Sequence, residues 1–76
     1  MELETFVKNF AEVFENTDAS QIAPATEFKK LEEWSSLTAL SVIAMVDDEY
    51  EVRIKGDDIR KSNTVEDLFN LVKAKI

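Results

Sequence analysis

The chain has no cysteine and no histidine, and only one glycine and one proline in 76 residues. Without cysteine and histidine there is no disulfide, no Cys/His metal centre, no thiolate nucleophile and no histidine-dependent catalytic triad. A single glycine excludes a glycine-rich loop that cradles phosphate. Positive charge is scarce too: 16 acidic residues stand against 9 basic ones, net −7. That is the wrong balance for a protein that must displace counterions from nucleic acid. No apolar run approaches the roughly 20 residues that span a bilayer, and no secretory leader pattern opens the sequence. Present instead are 45% apolar residues, enough for one core in one domain (residues 1–76), near the lower size limit for folding without staples. A small, soluble, cytoplasmic, all-α protein is expected.

Charge is unevenly spread, with net −9 over residues 1–51 and net +2 over residues 52–76. Such a division suits a basic partner docking on one side, and equally suits plain solubility.

Leu3, Phe6, Val7, Phe10, Val13 and Phe14 recur at steps of three and four, one stripe at about 100° per residue. A helix over about 3–15 follows, with Glu2 and Glu4 at its positive end. From Thr17 to Ser35 no period persists, and Pro24 disfavours helix at Ala23. A loop of that length needs anchors; Ile22, Phe28, Leu31 and Trp34 are the candidates. Further on, Tyr50, Val52 and Ile54 alternate with charges, but a lone strand has no partner here. Residues 51–56 are therefore expected as an extended connection ended by Gly56, with Asp57 and Asp58 capping a short helix over about 57–61. Thr64 and Asp67 are spaced close to a capping box. They open a helix over about 65–75 whose apolar face holds Val65, Leu68, Phe69, Val72 and Ile76.

The segment Leu37–Tyr50 is the most informative. Ser35 or Ser36 can cap it, and Ala39, Val42, Ile43, Val46 and Tyr50 form a core stripe. Leu37, Leu40, Ala44 and Met45 fall largely outside that stripe, so the helix is apolar on nearly all sides before it turns acidic. So short a chain has too little protein to enclose such a helix, and a second, contact-making face is expected.

The run Asp47-Asp48-Glu49-Tyr50-Glu51 lacks the glycine that a calcium loop needs at its sixth position, which Val52 occupies. Apolar residues committed to one core leave little to line a pocket that splits carboxylate pKa values, so no catalysis by the chain itself is expected. A serine hydroxyl at the mouth of a helix remains, at Ser35-Ser36-Leu37, where amides and dipole favour a phosphate ester. A plain N-cap is the commoner role of such a serine.

Taken over the whole chain, the helix spacing, the long first loop with its buried aromatic Phe28, and the segment from Ser36-Leu37 to Tyr50 resemble an acyl carrier protein or a related thiolation domain. Ser36-Leu37 matches the end of that family's Asp-Ser-Leu attachment motif, and Glu33-Trp34-Ser35 stands where the family has Gly-x-Asp. Ile54, Ile59, Val65 and Phe69 match core positions. The resemblance implies a small four-helix bundle of three longer helices and one short one, with 4′-phosphopantetheine esterified to Ser36. Its thiol would carry acyl groups for fatty acid, polyketide or related biosynthesis. A phosphopantetheinyl transferase and acyl-handling synthases with basic patches would be the partners of a monomeric carrier. They would read Leu37, Leu40, Ser41, Ala44 and Met45, with Asp47 and Asp48. Val46, Ile54 and Ile59 would line the acyl site, near Ser62 at a position where the family often has an apolar residue. The alternatives are a degenerate relative that binds partners through the same helix unmodified, or an unrelated acidic helical adaptor.

Overall fold

A computed structural model describes residues 2–76. It is all-helical among those residues: α1 (Leu3–Glu12), α2 (Ser36–Tyr50), α3 (Gly56–Lys61) and α4 (Val65–Ala74), with short 3₁₀ turns at Ala19–Gln21 and Phe28–Lys30. Among the described residues no helix is long and apolar enough to cross a membrane.

The core is where the apolar stripes meet. Phe6 and Phe10 from α1, Val42 and Val46 from α2, and Val65, Leu68 and Val72 from α4 are wholly buried. Phe14 and Ala11 join them, while Leu3, Val7 and Val13 pack at the margin. Aromatic rings link the elements: Phe6 meets Phe69 edge-on at 5.6 Å, and Phe10 meets Phe28 edge-on at 5.3 Å. Such pairs add about 0.5–1.5 kcal/mol each beyond their burial. Asn9 donates to the Tyr50 hydroxyl at 3.0 Å, tying α1 to the far end of α2.

The long loop is anchored much as its residues suggest. Ile22 and Phe28 are buried, and Leu31 and Trp34 pack half-buried against the core. Its backbone also serves α4, whose first amides lack partners within the helix. The amides of Val65 and Glu66 donate to the carbonyls of Thr26 (3.1 Å) and Pro24 (2.9 Å). Thr64 and Asp67 form the expected capping box: Asp67 N donates to Thr64 Oγ1, and the Asp67 carboxylate accepts from the Thr64 amide, both at 3.1 Å.

Three boundaries differ from expectation. α1 ends at Glu12 rather than Glu15; the amides of Val13 and Phe14 donate three residues back, to Phe10 and Ala11. That tighter turn ends the helix while keeping Phe14 in the core. α3 begins at Gly56, and its cap is Lys55 rather than Asp57 or Asp58; the Asp58 carboxylate accepts from the Lys55 amide at 2.9 Å. A Cβ on Gly56 would meet open space, so the fold does not demand glycine there. Ile76 is 70% exposed and does not extend the α4 stripe, because the helix ends at Ala74. The connection between α2 and α3 is extended as expected, with Val52 and Ile54 buried and Arg53 and Lys55 outside. It starts from Glu51, which stops α2 in the left-handed conformation at φ 55°.

Candidate functional site at the mouth of the second helix

The two adjacent serines have different roles. Ser35 is the N-cap of α2: its hydroxyl accepts from the Thr38 amide at 3.3 Å and lies 3.2 Å from the Thr38 hydroxyl. Thr38 Oγ1 in turn donates to the Glu33 carbonyl at 2.8 Å. Ser36 is the first helical residue, is exposed, and takes part in no side-chain hydrogen bond among the described residues. The hydroxyl that caps α2 and the hydroxyl that stays exposed therefore belong to different residues.

Ser36 borders a cleft of about 580 Å³ between α2 and α3. Its apolar wall is Trp34, Ala39, Leu40, Ile43 and Ile59, and its rim holds Ser35, Ser36, Lys29 and Arg60. Lys29 Nζ donates to the Arg60 carbonyl at 2.9 Å, bridging the long loop to the end of α3. A second recess of about 340 Å³ shares Leu40 and Ile43 and runs on to Ile54 and Arg53. Leu40 and Ile43 thus border both recesses. Of the expected acyl-site residues, Ile59 and Ile54 border these recesses. Val46 does not: it is fully buried in the core. Ser62 is no part of the cleft wall either. It is 2% exposed and its hydroxyl donates to the Asp58 carbonyl at 3.0 Å, so its polarity is satisfied inside the fold.

The outer face of α2 carries the other expected residues. Leu37 is 76% and Leu40 61% exposed, and Ser41, Ala44, Asp47 and Asp48 are exposed with them. At about 100° per residue these six lie within one broad strip opposite Val42 and Val46. Met45 stands apart, half-buried at the edge towards Asn9, Glu12 and Val13 of the α1 region. It packs partly against the core instead of standing free on the second face.

Glu33, where the attachment motif of the resembled family has glycine, has a structural task that composition does not announce. Its carboxylate accepts from the Thr17 hydroxyl (2.7 Å), the Glu15 amide (2.7 Å) and the Asn16 amide (3.0 Å). The Thr17 hydrogen bond, with those of the Glu15 and Asn16 amides, holds the carboxyl below its ordinary range; desolvation partly opposes them. Through its carbonyl the same residue accepts from Thr38. Glu33 thus ties the turn after α1 to the first turn of α2.

Sequence reasoning singled out Ser36 and the α2 face but passed over Lys29 and Arg60. The signal available was slight: Lys29 and Lys30 are two of the three basic residues before position 52. Only folding brings Lys29 beside Arg60. Compared with protein-family models, with curated proteins and with solved structures, the chain has no match.

Proposed function

We propose that this chain is a carrier domain of the acyl carrier or thiolation type, an acyl-carrier-like four-helix bundle that holds acyl groups on 4′-phosphopantetheine at Ser36. The observation that carries the reading is the Ser36 hydroxyl, exposed and free of side-chain partners at the start of α2, on the rim of an apolar cleft. The whole-chain resemblance and the division of labour between Ser35 and Ser36 support it.

In the modification step Ser36 Oγ attacks a phosphorus of coenzyme A. The Oγ–P bond forms, the pyrophosphate P–O bond breaks, the adenosine bisphosphate half departs, and a base of the transferase takes the serine proton. The attached arm supplies the thiol that this chain lacks, so acyl groups travel as thioesters. Ser36 roots the arm, the Ala39, Ile43 and Ile59 wall shelters an apolar cargo from water, and the outer face of α2 is read by partners. Asp47 and Asp48 at the end of that face suit partner enzymes with basic patches. The chain performs no catalysis of its own, works as a monomer and belongs in the cytoplasm.

Co-expression with a phosphopantetheinyl transferase, followed by intact-mass measurement, tests this. The expected result is a gain of one phosphopantetheine that Ser36→Ala abolishes. No gain with several transferases overturns the reading in favour of a second one, an unmodified adaptor gripping partners through Leu37 and Leu40, which draws on their exposure.

A further inference from the structure

Acidic residues border four other recesses of this surface. Glu4 and Glu12 flank one beside α1, and Glu12, Asp48 and Glu49 border that beneath Met45. Asp47 lies on the recess by Arg53, and Glu15 and Glu33 on that by Leu37. The cleft at Ser36 is lined by Lys29 and Arg60 and by no acid at all, in a chain where acids outnumber bases 16 to 9.

Both cations have a partner within the fold. Lys29 follows buried Phe28 in its 3₁₀ turn and is anchored at its tip by the hydrogen bond to the Arg60 carbonyl. That bond uses one of three ammonium donors and leaves two. Arg60 follows buried Ile59 on α3, and its guanidinium pairs with Asp57, which is outside the cleft wall. A guanidinium has five donors, so one carboxylate does not exhaust it.

Resting on the carrier reading, we propose that Lys29 and Arg60 form a seat for the phosphodiester of the arm attached at Ser36. A phosphodiester brings one negative charge and two free oxygens. Placed on a chain of net −7 without nearby cations, it adds repulsion; placed between an ammonium and a guanidinium, it makes charge-assisted hydrogen bonds. The free amides at the start of α2 act in the same direction. The two cations decide the side: they draw the root of the arm towards α3, over the cleft, and away from the exposed Leu37 face.

The sign of one measurement tests the seat. Loaded and unloaded forms of each protein are melted at low salt and at roughly 1 M salt, where the screening length falls to about 3 Å. Loading should raise the melting temperature of the parent at low salt, and the gain should shrink at high salt. In Lys29→Met/Arg60→Met the gain should vanish or reverse, and in Asp57→Asn, which releases Arg60, it should grow. Each variant is compared with its own unloaded form, so loss of the Lys29–Arg60 hydrogen bond cancels. If the double variant does not fold, Arg60→Met alone keeps that backbone contact and should still lose part of the gain. In the loaded parent, the ³¹P resonance should also shift on Arg60→Met. A gain equal in parent and Arg60→Met, or a parent destabilised by loading, overturns the seat and leaves modification of Ser36 standing. A chain that no transferase loads overturns the carrier reading and the seat with it.

Discussion

α1 and α4 each present one apolar side, and the core absorbs it: Phe6 and Phe10 on α1, and Val65, Leu68 and Val72 on α4, retain almost no exposure. α2 is apolar on two sides. Val42 and Val46 vanish into the core, while Leu37 and Leu40 remain largely in water. Apolar side chains on an exposed helix face add little to folding, so Leu37 and Leu40 set α2 apart from α1 and α4, whose apolar sides the core absorbs. The cleft adds a further asymmetry, since the side of α2 towards α3 carries a cation-rimmed cleft, and the side towards α1 holds half-buried Met45, the Asn9–Tyr50 hydrogen bond and a smaller recess bordered by acids.

Substitutions on α2 can break this contrast. Val46→Asp has the largest expected effect, because it places an unpaired carboxylate in a site with no exposure. The several kcal/mol that such burial costs rivals the total stability of about 5–15 kcal/mol typical of whole domains. The variant should show no cooperative thermal transition by circular dichroism, and a melt like the parent's would mean that Val46 is not core.

Glu33→Gln has a smaller effect that carries a pH signature. A carboxyl whose pKa is lowered on folding stabilises the fold fully above its unfolded value, here the ordinary 4.5, and loses that contribution as pH falls through the lowered folded value. Near neutrality the variant should melt below the parent, with the gap closing as pH falls below 4.5 and through the lowered folded value, where the parent carboxyl protonates. A gap independent of pH would assign the loss to shape rather than charge.

Leu37→Ser should be nearly silent for folding, within about 0.5 kcal/mol as for other surface changes, while acyl transfer from a partner enzyme falls. A clear drop in melting temperature would show that the second face of α2 supports the fold.

Much of this was legible in local pattern. The Phe6-Phe10-Phe14 spacing and the Val65-Leu68-Phe69-Val72 spacing each specify one buried side, because a helix repeats every 3.6 residues. The Thr64–Asp67 capping box was readable for a similar reason, since its partners are three residues apart. Phe28 and Ile22 stood out as anchors because a long loop without buried residues is unstable. Met45, expected on the second face, is half-buried: its side lies at the border of the two faces, and only the packing of α1 shows how much of it is covered. Ile76 failed because periodicity does not show where a helix frays. For Val46, periodicity does not show where a recess ends: Ala39 and Ile43 of the same stripe reach the cleft, whereas Val46 is enclosed by the core.

By itself the sequence determined the helical class, the amphipathic sides of α1 and α4, the surplus of apolar residues on α2 and the candidate hydroxyls at its start. These depend on residues within a turn or two of one another, where spacing translates directly into geometry. Which of the two adjacent serines caps α2 is a local choice that the structure resolves in favour of Ser35; tertiary structure alone decided that Glu33 clamps the turn at Glu15–Thr17 and that Lys29 reaches Arg60. Those arrangements join residues up to 31 positions apart, and which distant groups meet depends on how the helices pack.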